Sequence, residues 1–304
     1  MIGFAQNVNI PDANFKAYLV GNTAINTNGD AEIQVSEATT FNGLIYCPIL
    51  SISDLTGIEA FVNLNELQCY SNQLTNLDVS NNTFLTVFNC SYNQLTTLNV
   101  SNNTSLTWLY CYNNQLTSLD VSNCILLEGI YSENNQLSIL DLSTNYSLGD
   151  LVLNNNQITS LDVSNNTALS GLYCSNNQIT SLDLSQNSSL YFFDISNNPF
   201  YCLNLANGNS LNFNDCNVQN TPNLYCIEVD DTSNVTGINT PDSQTYYSNN
   251  CSNSCSTTEI FEIYQNKELL KVTDLLGRET KGTKNEVLFY IYDDGTVKKK
   301  IIIE

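Results

Sequence analysis

The sequence predicts an α/β-type repeat solenoid: a right-handed coil, mostly β and loop, with a parallel β-sheet on its concave face and a small C-terminal antiparallel β module. Three observations predict it. A 21-residue unit, LTVFNCSYNQLTTLNVSNNTS from Leu85, recurs from Leu64, Leu106, Leu127, Leu148, Leu169 and Leu190, and Leu211 opens a worn further copy. Apolar residues hold the same places in each copy, so stacked copies share one continuous core. Beyond about Ile260 the period disappears and apolar/polar alternation takes over.

The chain divides in order into 1–6, 7–48, 49–211, 212–256 and 257–304. Residues 1–6, MIGFAQ, look like the tail of a secretory signal, which puts the start of the mature chain near Gln6 or Asn7. Residues 7–48 form an N-terminal cap. Within it Asp12 to Leu19 is expected to be a short helix with Phe15, Tyr18 and Leu19 on one face. NTNGDAEIQVSE follows, from Asn26 to Glu37. This stretch resembles a worn EF-hand or dockerin-type loop. The resemblance implies a calcium ion held by Asn26, Asn28, Asp30, the Glu32 carbonyl and Glu37. Asn26 stands where Asp is usual and Ala31 where a turn glycine is usual, and a plain turn into the first strand is the other reading.

In residues 49–211 each repeat column is one line along the stack. Leu67, Phe88, Leu109, Ile130, Leu151, Leu172 and Phe193 must face the core. Two residues on, so on the same side of a strand, lie Cys69, Cys90, Cys111, Ser132, Leu153, Cys174, Ile195 and Cys216. Free exchange with Leu and Ile marks these cysteines as small core residues, one per coil, instead of a zinc cluster. Asn72, Asn93, Asn114, Asn135, Asn156, Asn177 and Asn198 form an unbroken column. Asparagine both donates and accepts, so it can pair the backbone groups that a turning coil leaves open. The second half of each repeat, L-D-V-S-x-N, puts Asp78, Asn99, Asp120, Asp141, Asp162, Asp183 and Asn204 on the outer side. Neighbouring carboxylates at that spacing repel by about 0.9 kcal/mol in water. Acceptance of turn N–H groups by the carboxylates offsets this.

The period and the L-x-x-L-x-L-x-x-N-x-L pattern are those of leucine-rich repeats, and with the cysteine column they resemble bacterial leucine-rich-repeat surface proteins of the cysteine-ladder, internalin J-like type. The resemblance covers about half of the chain and implies partner binding or adhesion without catalysis. After Pro199 the repeat decays toward the cap and linker of residues 212–256, and Cys202, Cys226, Cys251 and Cys255 fall outside the ladder column. In an exported chain a disulfide is expected to close this cap, with Cys226 to Cys251 the first choice and connectivity otherwise open. Residues 257–304 show strand alternation from Val287 to Tyr292, a turn over Asp293 to Thr296 and a last strand from Val297. Leu-Leu-Gly-Arg-Glu followed by Tyr-Ile-Tyr-Asp-Asp-Gly-Thr-Val-Lys-Lys-Lys resembles the sorting domain of the type IX secretion system. That resemblance implies recognition by secretion machinery and a secreted or surface-anchored product.

Charge and composition remove whole classes of function. No Lys or Arg occurs between Ala17 and Asn266, so the repeats repel nucleic-acid phosphates and anionic membranes. With no histidine there is no His-based triad or general base, and no apolar run is long enough for a membrane span. A non-enzyme is expected, with no required cofactor and calcium as the one optional ion. The candidate binding residues are aromatics on the outward face of the sheet: Tyr70, Tyr92, Trp108, Tyr110, Tyr112, Tyr131, Tyr173 and Phe192. Rigidly displayed aromatics suit a protein or glycan ligand, and lateral stacking that merely covers the sheet is the alternative. Glu66, Glu133, Asp150, Asp194 and Asp215 on that face favour cationic or polar partners.

Overall fold

The computed structural model describes residues 6–209, 212–251, 255, 269–273, 287–292 and 297–301. The chain separates into two compact units, 1–256 and 257–304. Most of the expected signal remnant, the opening Leu of the worn repeat copy, the Leu-Leu-Gly-Arg-Glu segment and the turn over Asp293 to Thr296 lie outside the described residues.

The first unit opens with α1 (Ala13–Gly21), started by Asp12, whose Oδ1 accepts the N–H groups of Asn14 and Phe15 at 3.0 Å each. Its buried Phe15 and Leu19 seal the end of the stack, where the first coil would otherwise expose its core. A second helix, α2 (Val35–Thr40), begins inside the stretch read as a loop. Glu37 starts it by accepting Gln34 N–H in a capping box.

Next comes one short strand per coil: β1 (Leu44–Tyr46), β2 (Glu66–Gln68), β3 (Val87–Asn89), β4 (Trp108–Tyr110), β5 (Gly129–Tyr131), β6 (Asp150–Val152) and β7 (Gly171–Tyr173). After β8 (Ser181–Asp183) the series resumes with β9 (Phe192–Asp194), and β1 to β7 plus β9 form one eight-stranded parallel sheet. Registers advance one repeat per strand, as in Leu67 to Phe88 to Leu109 to Ile130. Each of these central residues is fully buried, and each contributes about 2 kcal/mol through removal from water.

On the other side of the coil the L-D-V segments stay irregular until β8. From there β8, β10 (Cys202–Asn204), β11 (Cys226–Glu228) and β12 (Tyr246–Ser248) make a second parallel sheet. Two disulfides tie its strands to the segment that follows, Cys226 to Cys251 and Cys202 to Cys255.

Two asparagine ladders run through the stack. In the first, the side-chain amide of Asn93 donates to Cys69 O and Cys90 O at 3.1 and 2.9 Å while its Oδ1 accepts Leu74 N–H at 3.0 Å. The pattern repeats along the column as far as Asn198. The second ladder, Asn82, Asn103, Asn145, Asn166 and Asn187, was not anticipated from the sequence. Each member donates to carbonyls of the preceding coil, as Asn145 does to Val121 O and Cys124 O at 3.2 and 2.9 Å. Cys124 fills the one gap with weaker S–H contacts to Val100 O and Asn103 O.

The second unit is described through three antiparallel strands, β13 (Leu269–Thr273), β14 (Val287–Tyr292) and β15 (Val297–Ile301), with β14 in the middle. Leu288, Phe289 and Tyr290 pair with Lys300, Lys299 and Lys298. Among the described residues no helix is long and apolar enough to cross a membrane.

Candidate functional site

The outward residues of the long sheet are set by strand alternation around the buried central position. Parallel register puts Trp108, Gly129, Asp150 and Gly171 side by side on β4 to β7, and Tyr110, Tyr131, Val152 and Tyr173 in the row beside them. The glycines decide how the large side chains lie. A Cβ on Gly129 would come within 2.3 Å of the Trp108 ring, so the indole lies flat across this strand. A Cβ on Gly171 would meet Asp150 Oδ1 at 2.8 Å, so the Asp150 carboxylate leans over the next strand in the same way.

The result is a compact aromatic platform. Trp108 and Tyr110 are nearly parallel at 13° with ring centroids 6.3 Å apart, and Tyr110 stacks on Tyr131 at 4.8 Å and 21°. All three are half-buried. The Tyr131 hydroxyl points at Asp150 Oδ2, 3.5 Å away. Burial, reinforced by the Asp150 charge, pushes the Tyr131 phenol up to about 12, so it remains a neutral donor. Glu133, on the same face, has its Oε2 buried without a hydrogen-bond partner, and burial raises its carboxyl above the usual range.

The other candidates fall into separate groups. Tyr92 is exposed and meets Tyr112 edge to face at 5.3 Å. Tyr70 pairs with Tyr46, their hydroxyls 2.8 Å apart. Tyr46 was missed in the sequence because β1 lies ahead of the regular copies. Tyr173 stands two strands from Tyr131, and Phe192 meets Tyr191 edge to face at 4.6 Å near the far end of the sheet. Of the acidic set, Glu66, Glu133, Asp150 and Asp194 are partly buried on this face, while Asp215 is exposed in a turn at φ 54°.

The residues proposed for calcium do come together, and their polar groups are engaged with one another. Asn26 turns its amide N–H groups inward to Val20 O and Asp30 O, and its Oδ1 accepts Gly29 N–H. Glu37 Oε1 accepts the Thr27 N–H, the Thr27 hydroxyl and the Asn28 N–H. Asp30 accepts from Glu32 N–H, Asn28 and Gln34, and the Glu32 carboxylate pairs with Lys16 at 2.7 Å. N–H donors engage the side-chain oxygens of Asn26, Asn28, Asp30 and Glu37, so the loop is held in this arrangement by its own hydrogen bonds. Among the described residues no three His, Cys, Asp or Glu side chains converge on a metal position.

The ladder thiols are inert by environment. Burial pushes Cys47 and Cys111 up to about 12 and drives Cys69, Cys90 and Cys174 upward as well. The outer carboxylates spend their acceptor capacity locally: Asp78, Asp120, Asp141, Asp162 and Asp183 each accept the N–H of the serine two residues on, at 2.9–3.0 Å.

No protein-family model and no curated protein matches the chain. Among solved structures it is similar to an internalin, InlF, from Listeria monocytogenes, with TM-score 0.63 and 21% identity over 81% of this chain and 72% of that one. Internalin C2 of the same organism aligns with TM-score 0.55 and 19% identity over 75% of this chain and 100% of that one. The functional domain of InlJ, also from Listeria monocytogenes and described as including a cysteine ladder, aligns at 25% identity over 81% and 70% with TM-score 0.33. InlF and internalin C2 share the leucine-rich-repeat fold with this chain, and the likeness is one of fold.

Proposed function

We propose that the protein is an exported, non-enzymatic binding protein that holds a protein or glycan ligand on the aromatic face of its leucine-rich-repeat sheet. The observation that carries this reading is the Trp108–Tyr110–Tyr131 platform: three half-buried, nearly parallel rings on a rigid sheet, seated over a glycine. Such rings offer large contact area with little side-chain entropy left to lose. The internalin-type fold supports a recognition role, since a repeat stack presents an extended face instead of a deep cleft. In this reading the C-terminal β module delivers the chain to a type IX secretion system, and the product is secreted or held at the cell surface.

A second reading, a structural spacer of the cell surface or matrix, is favoured by the stacking of the platform rings on one another, which covers the sheet without a ligand. Binding of the full-length chain to surface-protein and glycan arrays separates the two. A saturable hit lost in the Trp108→Ala/Tyr110→Ala double variant, with an unchanged melting temperature, is the expected result. Blank arrays for the parent chain would favour the spacer.

A further inference from the structure

We propose that the Trp108–Tyr110–Tyr131 platform takes the guanidinium group of an arginine presented by a basic protein segment, with Asp150 as its carboxylate partner. The inference rests on the binding role argued above and names the chemistry of the ligand. Ring geometry is the first ground. Trp108, Tyr110 and Tyr131 lie within 13–30° of one another, so their faces share one orientation, and a planar cation that stacks on one ring continues the stack better than a tetrahedral ammonium does.

Charge is the second ground. In the first unit Lys16 is the one basic residue, and it is committed to Glu32 at 2.7 Å. Asp150 and Glu133 therefore stand beside the platform with no cation of their own unit to neutralise them. Asp150 is held over Gly171 by its Oδ1, and its Oδ2 touches Tyr131 through a long 3.5 Å contact that leaves acceptor capacity on the carboxylate. The Glu133 Oε2 beside it is buried with no hydrogen-bond partner among the described residues. A neutral sugar would use the ring faces but would leave the Asp150 charge unanswered.

Trp108 is the only tryptophan in the sequence, so its emission reports on this platform alone. The experiment titrates the full-length protein with a short N-acetylated, C-amidated Arg-Gly repeat peptide and with its citrulline-Gly twin, which keeps the planar shape and lacks the charge. The expected result is a saturable change in Trp108 emission, with the arginine peptide at least about tenfold tighter than the citrulline one at equal ionic strength. Asp150→Asn should weaken it by about tenfold, while Asp162→Asn, on the outer rail, leaves it unchanged.

Equal affinities for the two peptides, or equal losses in Asp150→Asn and Asp162→Asn, would overturn the assignment, the second by showing diffuse attraction to an acidic surface. A silent arginine peptide beside array hits that depend on Trp108 and Tyr110 overturns the arginine assignment and leaves the binding role standing. Silence in both overturns the two together.

Discussion

Tyr92 occupies a backbone conformation that costs it free energy. Its φ is 52°, in the left-handed region, where the equivalent residues of five later coils are Asn113, Asn134, Asn155, Asn176 and Asn197 at φ 52–56°. Asparagine tolerates that region through its short polar side chain, whereas a bulky ring pays about 1 kcal/mol. The ring is exposed and makes one edge-to-face contact with Tyr112, a small return for the strain. Tyr92→Asn is therefore expected to raise stability by about 1 kcal/mol in denaturant melts. If the same variant also loses ligand on the arrays, the strain is retained for recognition. An unchanged or lower stability would show that the contact with Tyr112 outweighs the backbone cost.

At the scale of the element, the ladders show what a short strand cannot do for itself. Three-residue strands pair few backbone groups, so the turns depend on side-chain amides to satisfy the rest. Asn145→Ala would remove the second donor of the buried Val121 O and Cys124 O, which would keep only the Cys124 and Leu127 N–H groups, and would leave a cavity; it is expected to cost about 1.5 kcal/mol. Asn102→Ala removes a single exposed bond to Ser80 O and should cost less than about 0.5 kcal/mol. Comparing the two by chemical denaturation tests whether burial sets the worth of the bond; equal losses would refute that.

The ladders also mark how far the sequence could be read. The Asn72 to Asn198 column was legible because it never varies and follows directly on an apolar strand pattern. The Asn82 ladder escaped notice because its asparagines sit in S-x-N runs that read as ordinary loop, and Cys124 breaks the column. The helix α2 was hidden in a stretch whose polar residues fit an ion-binding loop equally well. Within the candidate face, alternation identified the outward residues, but which rings meet depends on Gly129 and Gly171 one strand away. That lateral packing has no signature in a single repeat.

Across the first unit, stability is distributed unevenly along the stack. Coils touch only their neighbours, so the ends decide how the whole unit opens. The N-terminal end is held by Asp12, Glu37 and the buried Phe15, all non-covalent. The C-terminal end carries disulfides that close segments of 25 and 53 residues. By loop-closure entropy these contribute about 3.5 and 4 kcal/mol when taken singly. Cys226→Ser/Cys251→Ser should therefore lower the denaturation midpoint and make protease cut first around β11 and β12. Initial cleavage at the N-terminal cap in that variant would show that the disulfide is dispensable.

The same asymmetry has a mechanical consequence. A protein pulled at both ends would shed its coils from the N-terminal side, since among the described residues no disulfide cross-links one coil to the next there. Each released coil of 21 residues pays out about 70 Å of slack, giving a regular sawtooth of extension. The Cys202–Cys255 bond encloses the last coils and shunts the load past them. A chain used between two surfaces would thus stretch in measured steps and still keep a cross-linked stop in its last coils.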